Sequence, residues 1–167
     1  MNKDIFLKGR MIFLFAFFSL SACAQHTAAT SAVFINHRDI SLSGMEQSIL
    51  NYVNEHRKAI GKQALQMIDI ASDEANEHSV DMAKGKTAFG HDGFENRVAV
   101  ITKNIGRISA AAENVAYGEL TAQQVVDGWL HSPGHKKNIE GDYTLTGIGV
   151  AKDKNGTIFY TQIFLRK

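Results

Sequence analysis

The sequence predicts an α+β fold, a three-layer α/β/α sandwich with helices over both faces of a central antiparallel sheet. Three observations predict it. Several stretches between residues 43 and 139 repeat their apolar residues at helical spacing. After Leu145 the period changes to two, and two such runs flank Asp153-Lys154-Asn155-Gly156, the pattern of a β-hairpin. The last run is largely apolar on both faces, with Ile158, Tyr160, Gln162 and Phe164 on one and Phe159, Thr161, Ile163 and Leu165 on the other. A strand of that kind needs cover on both sides.

The chain opens with a segment that stays outside the fold. Lys3, Lys8 and Arg10 precede Met11–Leu20, an uncharged and almost wholly apolar run too short for a stable membrane-spanning helix. It closes on Leu20-Ser21-Ala22-Cys23, which resembles a bacterial lipobox. Residues 1–22 are therefore expected to be a lipoprotein signal peptide, with Cys23 acylated and holding the domain at a membrane surface. The alternative is an ordinary signal peptide that leaves a free thiol. Cys23 is the only cysteine, so the folded part has no disulfide and no thiolate for catalysis or metal binding. Residues 23–42 read as a tether.

Residues 43–167 are expected to form one domain. The whole chain has 18 basic and 17 acidic residues. That balance gives no reason to expect nucleic-acid binding.

Ser43-Gly44-Met45-Glu46 has the form of a capping box. It opens a first helix with Met45, Ile49, Tyr52, Val53, His56 and Ile60 on one face and Gly61 as its stop. A second helix runs from Asp69 to Lys84, with Ala71, Ala75, His78 and Met82 inward and Gly85 ending it. His56 and His78 are expected to be hydrogen-bonded core residues. Asn54 and Arg57 read as a solvated face or a local salt link. A shorter helix spans Glu95–Thr102. Thr121-Ala122-Gln123-Gln124 is a second capping box, and Val125, Val126, Trp129 and Leu130 point inward after it.

His131 and His135 stand four apart, the spacing of two zinc ligands on one helix face. Between them lies Ser132-Pro133-Gly134, with no glutamate. Proline disfavours helix at the preceding residue, so one helix ends near His131. Ser132 is then an N-cap and Pro133 the first residue of a short second helix through Ile139. The two histidines belong to different elements. Lys136 and Lys137 are expected to be solvated.

Three further segments, 89-FGHDGF-94, 111-AAENVAYG-118 and 132-SPGHKKN-138, carry polar residues in apolar or glycine-rich surroundings. With 51-NYVNEHR-57 and 75-ANEHSVDMA-83 their order resembles the bacterial branch of the CAP superfamily (cysteine-rich secretory proteins, antigen 5, pathogenesis-related proteins), also called the SCP domain. The resemblance implies an α/β/α sandwich with a central cleft. In many members that cleft holds two histidines and two acids, and in some it binds a divalent metal. Here His91 matches the first histidine, Glu113 the glutamate and His135 the second histidine. The second acid, expected just after Trp129, is missing. His131 or Ser132 would have to complete the set, and His78 and Asn114 are further cleft-lining candidates.

Two imidazoles and a carboxylate are good zinc ligands; without metal the same groups form a hydrogen-bonded cluster. Three functions follow. The first is a membrane-anchored, monomeric binding module whose cleft takes a lipid or a cell-envelope polymer. The second is a metal-dependent hydrolase, peptidase-like or acting on an envelope polymer, that uses the same cleft with one divalent metal such as zinc, and the third a structural or adhesive surface protein. The expected location is the cell envelope, at the outer membrane in a Gram-negative source.

Overall fold

The computed structural model of the chain describes Leu42 and residues 44–167. The expected signal peptide, Cys23 and the tether up to Ser41 lie outside the described residues, as does Ser43. Among the described residues five helices and four strands follow one another: α1 (Met45–Ala59), β1 (Gln66–Met67), α2 (Asp69–Ala83), α3 (Phe94–Ile105), β2 (Ala110–Gly118), α4 (Ala122–His131), α5 (Pro133–Ile139), β3 (Leu145–Lys152) and β4 (Ile158–Arg166).

The sheet has the order β1-β3-β4-β2. The β3–β4 hairpin and the β2–β4 pair are antiparallel, while the two-residue β1 adds a parallel pair at the far edge. The hairpin loop is longer than a two-residue Asn-Gly turn. Gly156 N–H donates to the Asp153 carbonyl, and Gly156 then takes a positive φ. Asp153 Oδ1 accepts from the backbone N–H groups of Asn155 and Thr157. The sequence of β2 does not show it as a strand, because its alanines and Glu113-Asn114 do not alternate as apolar and polar residues.

Both faces of β4 are covered, as its composition requires. Ile158, Tyr160 and Phe164 join α1, α4 and α5 in one core, with Ile49, Val53, Val126, Trp129 and Ile139. Ile163 and Leu165 meet Ala71 and Ala75 of α2 and Ile101 of α3 in the second. Gly147 and Gly149 of β3 face α2. A Cβ at either position would collide with the α2 backbone at Ala71 or Ala75–Asn76. The glycines set how closely helix and sheet approach.

The helix ends follow local chemistry, with some corrections. Thr121 and Gln124 form the expected reciprocal capping box. α1 instead starts from Gly44 in a left-handed conformation with no side-chain cap. Its end matches expectation: Gly61 has a positive φ and Lys62 N–H reaches back to the Arg57 carbonyl at 2.8 Å. Tyr52 and Ile60, expected inward, are surface residues, and Leu50 is buried instead. α3 is longer than expected by one residue at its start and three at its end. α4 breaks at Ser132 and α5 begins at Pro133, so His131 and His135 do lie on different helices.

Arg57 overturns the expectation of a solvated face. It is 1% exposed. Its guanidinium donates to the carbonyls of Gln63, Ile139, Gly141 and Tyr143, so α1 clamps the turn between α5 and β3. Asn54 likewise exchanges two hydrogen bonds with the backbone of Leu65.

Candidate functional site

The site forms along the outer edge of β2. Residues 111, 113, 115 and 117 point toward α2 and α3; residues 112, 114 and 116 point toward α1, α4 and α5. Glu113 and Asn114 are adjacent, so one strand sends a polar group to each side of its edge.

On one side, Glu113 is held by α3. Its side chain is 2% exposed. Arg97 Nε donates to Oε2 at 3.0 Å and Arg97 Nη2 to Oε1 at 2.9 Å, a two-pronged ion pair. His91 Nδ1 lies 2.9 Å from Oε1. Facing a carboxylate, that nitrogen is the donor, which leaves His91 Nε2 for solvent or a ligand. The His91 ring is half exposed.

The loop that carries His91 is pinned twice. Arg97 Nη1 donates to the Asp92 carbonyl at 2.8 Å. His78, buried on α2, donates Nε2–H to the Gly90 carbonyl at 2.9 Å. His78 is thus the hydrogen-bonded core histidine expected of it, and it acts on the cleft by holding the loop. His56 is half-buried and pairs with Glu140.

On the other side, α5 supplies His135 and Asn138. Asn138 Nδ2 bridges the Glu113 carbonyl and Asn114 Oδ1, and Asn114 Nδ2 donates to the His135 carbonyl. Trp129 Nε1 donates to the Val115 carbonyl at 3.3 Å. Asn138 and Trp129 thus occupy the Glu113 and Val115 carbonyls on the free edge of β2, which hinders another strand from pairing there. His135 is half-buried. Burial holds its imidazole below the ordinary histidine value, and the charge of nearby His91 pushes the same way.

His91, Glu113, Asn114 and His135 are therefore brought together. His131 and Ser132 are not. His131 Nδ1 donates back to the Asp127 carbonyl on its own helix, and Ser132 caps α5 through its backbone. Among the described residues, no hydrogen bond joins either one to His91 or Glu113.

Arg97 is the residue that sequence reasoning missed. The signal was present. Phe94, Arg97, Ile101 and Ile105 fall at helical spacing, so the stripe facing the sheet contains one cation. A cation in such a stripe needs a buried acid.

The donor set fits a metal poorly. A guanidinium occupies both oxygens of the one carboxylate. Among the described residues no three His, Cys, Asp or Glu side chains gather as a metal-holding group. Beside Arg97 a cavity of about 350 Å³ opens between α2 and α3. Glu74, Glu77, Asp81 and Asp92 line it together with Arg97, His78 and Val100, so carboxylates outnumber the cations in a wall of mixed polarity. Burial raises the Glu74 carboxyl above its ordinary value, with the neighbouring Glu77 adding to the shift.

The comparison with known proteins fits this arrangement. The family model described as cysteine-rich secretory protein family, CAP, matches residues 50–164. The chain belongs to the CAP family. All of the paired site residues fall within the matched CAP region. An uncharacterized protein, YkwD, of Bacillus subtilis (strain 168) is 34% identical over 129 residues, which cover 76% of this chain and 49% of that protein. An uncharacterized membrane protein, YlbC, of the same organism is 31% identical over 125 residues, covering 73% of this chain and 34% of that protein. The chain thus spans half or less of these relatives. An extracellular SCP-domain protein of Bacillus anthracis superposes with a TM-score of 0.64 at 30% identity, over 75% of this chain and 41% of that one. An outer surface protein of Borrelia burgdorferi has a TM-score of 0.61 at 21% identity, over 72% of this chain and 91% of that one, a likeness of fold alone.

Proposed function

We propose that this CAP domain is an extracytoplasmic binding module whose His91–His135 cleft grips a polar group of a cell-envelope polymer. One observation carries the reading: the buried Glu113 carboxylate is held by Arg97 and spends its remaining contact on orienting His91. A carboxylate so engaged is a support for an imidazole and not a free base or metal ligand. His91 Nε2 and the His135 ring are left as the groups that meet a ligand. Among the two ligand classes expected from the sequence, the two imidazoles favour the polymer, whose hydroxyl and amide groups can hydrogen-bond them, whereas an acyl chain offers them no partner.

Placement at the envelope is supported by the lipobox-like Leu20–Cys23. It is also supported by relatives described as a membrane protein of B. subtilis and an extracellular protein of B. anthracis. Acylation of Cys23 would provide the anchor.

Co-sedimentation of the full chain with purified peptidoglycan sacculi tests the binding reading. The wild type is expected in the pellet. His91→Ala and His135→Ala should each weaken retention by about fivefold, the worth of one hydrogen bond. A wild type that stays in the supernatant, or variants that bind as well as it does, would contradict the reading.

A further inference from the structure

We infer that a second surface, beginning beside the His91 loop at Phe89 and running to the β3–β4 hairpin, binds an anionic polysaccharide through an aromatic ladder and a lysine-lined groove. Phe89, Tyr117 and Phe159 form the ladder. The Phe89 and Tyr117 rings meet edge to face with centroids 4.7 Å apart, and Tyr117 stacks on Phe159 at 6.0 Å. Tyr117 and Phe159 are direct cross-strand partners in the β2–β4 ladder. Phe89 is 48% exposed and Tyr117 58% exposed. These are among the most exposed large apolar side chains of the domain, and here they touch one another. Aromatic rings left in water as a cluster forgo burial that a core position would give them.

Phe159 joins this cluster to a groove of about 510 Å³, which Lys84, Lys152 and Lys154 also line. Three elements supply the lysines: the end of α2, the end of β3 and the hairpin turn. The one acid of the groove is Asp153. Its Oδ1 already accepts two backbone N–H groups of the turn, so its charge is partly spent. A groove lined mainly by one sign of charge concentrates ligands of the other.

Flat rings beside ammonium groups suit a sugar chain bearing carboxylates. The ring faces stack on the apolar face of a pyranose, the tyrosine hydroxyl and lysines bond its oxygens, and the lysines meet its charges. The concave wall favours a linear polymer over a lipid surface, which would call for a convex patch. Tyr117 lies four residues along β2 from Glu113 on the same face, about 13 Å away at strand rise. The groove is thus a separate site, and its occupancy does not depend on the cleft reading.

The test is titration of the full chain with polygalacturonate, with neutral dextran and phosphatidylglycerol vesicles as comparisons. Polygalacturonate is expected to bind, dextran not, and added salt to weaken binding. Tyr117→Ala and the double variant Lys84→Ala/Lys154→Ala should each lower affinity about fivefold or more. Lys103→Ala, which removes one charge from the exposed face of α3, should leave it unchanged. Tyr117 and Lys154 are exposed, and a circular dichroism melt that matches wild type assigns the loss to the surface. The inference is overturned if polygalacturonate does not bind. It is also overturned if Lys103→Ala weakens binding as much as the groove variants, or if only the vesicles bind.

Discussion

Glu113 is the residue on which the cleft turns, and Arg97 is what makes its burial tolerable. A lone carboxylate with a 2% exposed side chain would be costly, so each partner depends on the other. Arg97→Ala should destabilise the domain by about 3–5 kcal/mol, because it leaves a buried charge unpaired. Chemical denaturation measures this, and a loss under about 1 kcal/mol would contradict it. His135 gives a pH dependence of known sign. Its folded pKa is held below the ordinary 6.5, so on acidification the unfolded chain takes up the proton first. Its contribution to stability is full above about pH 6.5 and is lost as pH falls through the lower folded value. His135→Asn should flatten that part of the profile in thermal melts across the acidic range. At this scale the sequence exposed His91, Glu113 and His135 through their motifs. It did not expose Arg97, because the pairing joins α3 to an edge strand through tertiary contact alone.

At the scale of elements, the long helices and the hairpin were legible, since their signals are local. The Thr121 capping box, the glycine stops at Gly61 and Gly85 and the Ser132-Pro133 break each rest on a few neighbouring residues. β2 and β1 were not legible. β2 is an edge strand whose polar residues are paired from α3 and α5, and β1 is two residues long. Arg57 was misread for the same reason: nothing in 54-NEHR-57 shows that three of its acceptors, the carbonyls of Ile139, Gly141 and Tyr143, lie more than eighty residues away. The clamp has a measurable consequence. Arg57→Ala removes donors from four buried or half-buried carbonyls and a packed stem, so a loss of about 3 kcal/mol or more is expected. Arg57→Lys should recover little of it, since one ammonium cannot span the fan of acceptors. A lysine variant as stable as wild type would contradict the clamp.

For the whole molecule, the three layers bring the cleft together from both sides of one strand. α2 and α3 fix the His91 loop, and α4 and α5 present His135 and close the β2 edge. The layered fold was legible because β4 is apolar on both faces, a global statement written in nine residues. The function was less legible, because the same motif residues serve a metal site or an oriented imidazole, and only the position of Arg97 separates the two. The most direct test is nitrogen-15 NMR of the histidine rings at neutral pH, before and after equimolar zinc. His91 is expected to be protonated at Nδ1, a signature that Glu113→Gln alters and zinc leaves in place. A ring protonated at Nε2 alone, or zinc shifting His91 and His135 together at one equivalent, would contradict it and make the cleft a metal site.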